Sequence, residues 1–464
     1  MNKSLPTIIR RNQPIKVKDC SKKVNSNLTK LLSISVFLLF SGAHIINAQS
    51  IPADTSKIKT ITEDSRKFGN FTFEPHIKTI KLTNPEWEMS YPILALGSGH
   101  KLQLTFDVLA DESKSYSYQL FHLNSSWTGL DATFYEFGTG FEKNEIYESE
   151  ASYSSTVPYH HYKLELPNDD IQLKISGNYL IRVYEDGKKT PVFQRRFVVY
   201  ENRCSISGRV DRAMAKNHGS TSHKISFEIT THGLQLSDPY SELEVKILPN
   251  NNWHRAHEGF QPLYIKGDKL IYADKDENIF DAGNEYRTIN IKDLAYEALM
   301  VESIRRINTD YHVKLRPDEA RRYLRYQDHQ DLNGQFFIEK SNSWTPELDA
   351  DYVNVYFTLQ VKQPILSGIV FVYGALTDYT FSSANAMNYN PQKKQYELRI
   401  KLKQGFHDYQ YVALDAYYNY KPDFTTIEGS HWETKNDYIM YVYYKDFQSG
   451  FHRVVGFTRM QSNQ

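Results

Sequence analysis

The stretch Leu102-Gln103-Leu104-Thr105-Phe106-Asp107-Val108 decides the fold class. Its apolar residues fall on every second position, so a pleated strand puts them on one face and the polar residues on the other. A helix would need repeats of three and four. The pattern continues outward. Tyr116, Tyr118 and Leu120 follow, Tyr179, Ile181 and Val183 repeat it, and Phe197 and Val199 end the block near residue 200. Turn-forming runs separate these segments: Gly97-Ser98-Gly99, Pro167-Asn168-Asp169-Asp170, Ser176-Gly177-Asn178 and Glu185-Asp186-Gly187. Short strands at this spacing predict a β-sandwich.

A second block spans 201–345, with Ile225, Phe227 and Ile229, then Leu243, Val245 and Ile247 ahead of Pro249. Two stretches break the β pattern. Leu294, Ala298, Val301 and Ile304 predict a short helix within Asp293–Ile304, and Arg316-Pro317-Asp318-Glu319 has the early Pro and acids of a first helical turn. In a third block Val353, Val355, Phe357, Leu359 and Val361 alternate until Pro364. Ile369–Tyr373 follows, then Tyr396, Leu398, Ile400 and Leu402, a turn at Gly405, a returning strand Tyr409–Val412, and Tyr438–Tyr444. No Rossmann, barrel or solenoid repeat is present.

The N-terminus reads differently. Residues 1–30 carry eight bases (Lys3, Arg10, Arg11, Lys16, Lys18, Lys22, Lys23, Lys30) against Asp19. An apolar run Leu31–Phe40 follows, then Ile46-Asn47-Ala48 with a small residue at the expected cut. That order predicts a secretory signal, its apolar run being short for a bilayer span. No Cys follows the cut, so no lipid anchor is expected there. The formal charge of zero becomes about −7 once the signal leaves, with 47 Lys and Arg against 54 Asp and Glu. Such a chain has no basic excess for nucleic acid and no second apolar run for membrane insertion. The full sequence, with 34 Tyr, 25 Phe and 5 Trp, is too aromatic to be disordered. One cysteine, Cys204, remains after the cut. It can form no internal disulfide and is expected as a small buried apolar residue.

A search for chemistry yields no assignable catalytic, cofactor or metal residues. No H-E-x-x-H, paired C-x-x-C or G-x-S-x-G occurs. His160-His161 are neighbours on a strand and point to opposite faces. In His329-Gln330-Asp331-Leu332-Asn333-Gly334 the spacing resembles a calcium loop, but Lys340 stands where the bidentate carboxylate belongs. A turn with Asn333-Gly334 at positive φ before the strand Phe336–Ile338 is expected instead. Three further polar strings, His122–Trp127, Asp281–Arg287 and Glu428–Tyr438, are expected to lock turns through buried, paired polar groups. A catalytic role for Glu428 with Glu433 would require the two to face each other.

In this order, the strings resemble the type IX secretion system plug protein family. The matching pieces are Lys101–Asp107, His122–Trp127, Thr156–Tyr162, Ser176–Leu180, Gly283–Arg287, Asp331–Gly334, Asp351–Val353, Leu402–Phe406 and Glu428–Tyr438. One departure is Leu123, where the family often has Cys. The resemblance implies a non-enzymatic periplasmic protein, peripheral to the inner face of the outer membrane. It would seal the periplasmic mouth of the giant outer-membrane β-barrel translocon when no cargo occupies it. The partner-facing residues are left unassigned. The C-terminal block also resembles an early-set immunoglobulin-like domain of the glycogen-binding type, with Tyr379 where a sugar-stacking Trp belongs. The alternative is therefore an envelope carbohydrate-binding protein; an exported glycosidase or protease has no motif behind it.

The expected architecture is mainly β: consecutive β-sandwich, immunoglobulin-like domains with few short helices. Its divisions are a signal at 1–48, an extension at 49–74, sandwiches at 75–200 and 346–464, and a mostly β middle domain at 201–345.

Overall fold

The computed structural model describes residues 63, 66–214, 219–234, 236–273, 275–365, 368–415, 420–446 and 449–463. The expected signal and most of the extension before residue 66 lie outside the described residues. The rest is mainly β, with short helices such as Phe134–Phe137, Pro239–Glu242 and Pro346–Asp349.

The first sandwich uses residues 71–200. One sheet runs Phe71–Thr72, Phe193–Tyr200, Gly177–Glu185, Tyr116–Leu123 and Leu130–Ala132, and the other runs Ile77–Thr83, Leu102–Val108, His160–Leu166 and Glu148–Ala151. The alternating residues Leu102, Leu104, Phe106 and Val108 all lie in the core against Tyr116, Tyr179, Ile181 and Phe193. Phe106 stacks on Tyr162 with ring centres 4.9 Å apart. Backbone from the extension closes this block: Arg182 donates to the Lys67 carbonyl at 2.7 Å, and Gln194 to that of Gly69 at 2.8 Å.

A second sandwich sets Ser205–Arg212, Ser222–Thr230, Lys269–Tyr272 and Tyr264–Lys266 against Leu243–Pro249, Asp437–Lys445 and His452–Gln461. Ile225, Phe227 and Ile229 pack on Val245, Ile247, Tyr438, Met440 and Val442. A third sets a sheet containing Asp310–Leu315, Tyr352–Gln360 and Gln395–Lys403 against one built on Gly405–Asp415. Its core joins Val353, Val355 and Phe357 to Val370, Val372, Tyr409 and Tyr411. Residue 345, the expected boundary, lies inside this arrangement. Leu243–Pro249 pairs with Asp437–Lys445, Asp310–Leu315 with Tyr352–Gln360, and both Arg287–Asn290 and Phe336–Ile338 with Gly405–Asp415.

Four local expectations change or sharpen. Asp293–Ile304 holds no helix: Val301–Ile307 is a strand, paired with Asp310–Leu315 across a two-residue turn at Asn308, whose φ is 56°. The β-branched Val301 is fully buried there, which outweighs the helical spacing of its neighbours. Arg316–Glu319 is not a helical turn either. Asp318–Glu319 bridges Leu359–Gln360 because the Asp318 carboxylate is drawn to Arg287. Gly405 does not make a hairpin: Gln395–Lys403 pairs with Tyr352–Gln360, and the chain changes sheets before Gly405–Asp415. Its φ is 146°, and a Cβ there would stand 2.1 Å from the Phe337 carbonyl oxygen. Finally, Tyr352–Gln360 is buried on both faces, so its alternation marks two packed surfaces instead of a wet one and a dry one.

Candidate functional site

The polar strings singled out in the sequence are largely internal. His122 is buried and its Nε2 lies 3.2 Å from the Ser176 carbonyl. His160 and His161 have separate partners, the Asp111 carbonyl and the Asp107 carboxylate. Cys204 is buried, and burial pushes its thiol up to about 12. Residues 283–287 and 428–435, far apart in sequence, close on one another. Gly283 N–H donates to Ser430 Oγ (2.9 Å), Asn284 Nδ2 to the Glu428 carbonyl (2.8 Å), and Lys435 N–H to Glu285 Oε1 (3.0 Å).

Glu428 is fully committed. Arg287 Nε donates to it at 3.1 Å, Arg321 Nε at 2.8 Å and Tyr411 N–H at 2.9 Å. Burial pushes its carboxyl up, but Arg287 and Arg321 outweigh that and hold it below the usual range. No free acid is left there to act with Glu433. The second arm of Arg287 reaches Asp318 at 2.6 Å, and Tyr409 and Tyr411 donate to the same carboxylate. Buried charges in such a network are satisfied structurally and are poorly placed for substrate.

The calcium-like string is a turn. Asn333 and Gly334 have φ of 52° and 83° ahead of the strand Phe336–Ile338. Asp331 accepts from Asn333 N–H at 2.9 Å, and Asp408 accepts from Gly334 N–H at 3.1 Å and from Thr288 Oγ1 at 2.6 Å. Burial, then the Asp331 carboxylate, pushes the Asp408 carboxyl up to about 8. Lys340 donates to the Asp349 carbonyl at 2.6 Å. Among the described residues no three His, Cys, Asp or Glu are grouped to hold a metal ion. Tyr379 is no exposed platform: its hydroxyl donates to the Gly334 carbonyl at 2.7 Å and its ring meets Tyr373 edge-on.

Two features escaped the sequence reading. The first is a set of clamps between the first sandwich and the others. Asp107, fully buried, accepts from Lys403 Nζ, Tyr352 hydroxyl and His161 Nδ1, each at 2.6 Å. Arg195 pairs with Asp378, Tyr91 hydroxyl donates to Asp437 at 2.8 Å, and Tyr443 hydroxyl to Asn178 at 2.8 Å. A charged residue in the middle of an apolar strand was the available signal for Asp107. The second feature is where the aromatics surface. Trp344 is 98% exposed, and its neighbour Thr345 is hydrogen-bonded to Tyr153, itself half exposed. Tyr135, Phe141 and Tyr147 stand out from the first sandwich, and Tyr296 and Tyr323 from the third. Exposed aromatics of this kind are enriched at protein interfaces.

The model of the type 9 secretion system plug protein first domain matches residues 77–201. The chain belongs to the type IX secretion system plug family. That family gives the chain a role connected with type IX secretion, and it is not a family of enzymes. A component of this system belongs to the cell envelope. Among the described residues no helix is long and apolar enough to cross a membrane. This plug-family chain is also similar to a crystal structure of a hypothetical protein from Parabacteroides merdae ATCC 43184. Identity is 32%, the match covers 85% of this chain and 100% of the other, and the TM-score is 0.82. Two further structures, the alkylpurine DNA glycosylase AlkC of Pseudomonas fluorescens and the BspA C-terminal domain of Streptococcus agalactiae, match at a TM-score of 0.15. Neither likeness carries weight. No curated protein matches the chain.

Proposed function

We propose that this protein is a periplasmic plug. It binds the periplasmic opening of the giant outer-membrane β-barrel translocon and seals it while no cargo is present. The family match over residues 77–201 is the observation that carries this reading. The architecture is compatible with it. A body that must stop a pore cannot deform under load, and the clamps Lys403–Asp107, Arg195–Asp378 and Tyr91–Asp437 tie its first sandwich to the others. A displaceable partner needs local anchors instead of one broad apolar face, and dispersed exposed aromatics such as Trp344 and Tyr135 supply them. The test is affinity purification of the tagged protein from solubilised outer membranes, paired with deletion of its gene. The reading expects co-purification of a very large barrel, and raised sensitivity to bulky antibiotics on deletion. A preparation without such a barrel, together with unchanged permeability, would reject it.

A further inference from the structure

Arg196 stands in a cleft of about 410 Å³ where the first sandwich meets the turn at 251–254 and the loop at 378–380. Its guanidinium carbon lies 4.5 Å from the Trp127 ring centre and 5.9 Å from that of Trp253, and the two indoles meet edge-on at 5.1 Å. Nε donates to the Phe68 carbonyl at 2.6 Å. Among the described residues, no hydrogen bond or carboxylate engages its two terminal nitrogens. Asp378, the acid lining the cleft, is already taken: Arg195 holds one oxygen and Thr72 hydroxyl the other at 2.6 Å. Lys67 adds a second cation to the lining. Burial pulls the Arg196 guanidinium down to about 9. A desolvated arginine normally has a counter-charge, and none among the described residues engages its terminal nitrogens.

The walls are held in costly conformations. Trp127, Asn251, Asp378 and Tyr379 have φ of 58°, 53°, 59° and 52°, a region that side chains other than glycine rarely occupy. Trp127 is kept there by its N–H bond to the Asn124 carbonyl at 3.0 Å, and by Asn124 Oδ1 accepting from Thr128 N–H at 2.9 Å. The arrangement combines an unpaired planar fork, indole walls and a fixed backbone.

We propose that this cleft binds a carboxylate carried by an extended acidic peptide, with the terminal nitrogens of Arg196 donating to both oxygens and the indoles covering the flanking apolar atoms. One free guanidinium fork matches a carboxylate in a bidentate pair. Phosphate sites instead gather several cations or a nest of backbone N–H groups. This inference stands apart from the plug reading, because a short peptide and the purified protein suffice to test it.

The experiment is calorimetric titration with acetyl-Leu-Glu-Leu-amide, acetyl-Leu-Gln-Leu-amide and inorganic phosphate. The expected result is saturable binding of the Glu peptide, with the Gln peptide at least about tenfold weaker, the scale of a lost charge-assisted pair. Arg196→Gln should weaken the Glu peptide by a similar factor. Ser126→Trp leaves Arg196 untouched and fills the exposed rim of the cleft, so it should abolish binding even if Arg196→Gln fails to fold. Equal binding of the Glu and Gln peptides, unchanged binding in Ser126→Trp, phosphate binding tighter than peptide, or no wild-type heat at millimolar peptide would each overturn it.

Discussion

Removing the ammonium from Asp107 should be among the most damaging single changes in the protein. Lys403 Nζ lies 2.6 Å from Asp107 Oδ2 and also donates to the Glu347 carbonyl at 2.6 Å. Asp107 is 0% exposed and Lys403 1%, so water cannot stand in for either. Lys403→Met keeps much of the aliphatic stem and strands a buried carboxylate, which costs about 3–5 kcal/mol. Asp107→Asn combined with Lys403→Met leaves no orphan charge, and the amide oxygen introduced by the first substitution can still accept from the Tyr352 hydroxyl. The double variant should recover most of the loss, to within about 2 kcal/mol of wild type. The assay is urea unfolding followed by tryptophan fluorescence and circular dichroism. Acid provides a second check. Burial pushes the Asp107 carboxyl up, but Lys403 and His161 outweigh it and hold the group below its usual range. Its contribution to stability is therefore present above an unfolded value of about 3.9 and lost as pH falls through the folded value. In Lys403→Met the carboxyl lacks its ammonium and protonates at higher pH, so the deficit relative to wild type should shrink on acidification. A single-variant loss below about 1 kcal/mol, or a double variant no better than the single, would refute this account of the clamp.

Glu285 behaves in the opposite sense. Burial pushes its carboxyl up to about 7 against the donors Tyr326 and Lys435, so its stabilising share is complete below the unfolded value near 4.3 and disappears as pH rises through 7. Glu285→Gln keeps both accepted bonds; it should match wild type at pH 5, exceed it at pH 8, and flatten the stability profile between. Gly405→Ala should cost about 2–4 kcal/mol or prevent folding, read by thermal unfolding, because its Cβ would collide with the Phe337 carbonyl at 2.1 Å. The Cys204 thiol should resist a thiol-specific reagent in the native protein and react fully in denaturant, read by absorbance at neutral pH. Trp344→Ser should change stability by less than about 0.5 kcal/mol, as a fully exposed site predicts, while weakening recovery of the barrel in the pull-down.

The sequence by itself determined the β character of the chain, because side-chain alternation is a local property. Leu102–Val108, Tyr179–Val183 and Val353–Leu359 became strands as read. It also determined the turn at Asn333-Gly334, since only a few residue types tolerate positive φ. That the polar strings lock turns through paired groups was legible as well, because buried amides and carboxylates require partners. Their partners were not legible. That Gly283–Arg287 meets Glu428–Lys435 depends on which sheets stack, and so does the pairing of Asp107 with Lys403 from another sandwich. The chain closes its middle sandwich with Asp437–Lys445, and no nearest-neighbour pattern announces a pairing across about two hundred residues. Tertiary packing also placed Val301–Ile304, the end of a helical spacing that starts at Leu294, in a strand. It sorted the aromatics into core and outposts, burying Tyr441 and Tyr443 while leaving Trp344 in water. Ring content is a property of composition, whereas exposure is settled by what the rest of the fold lays on top.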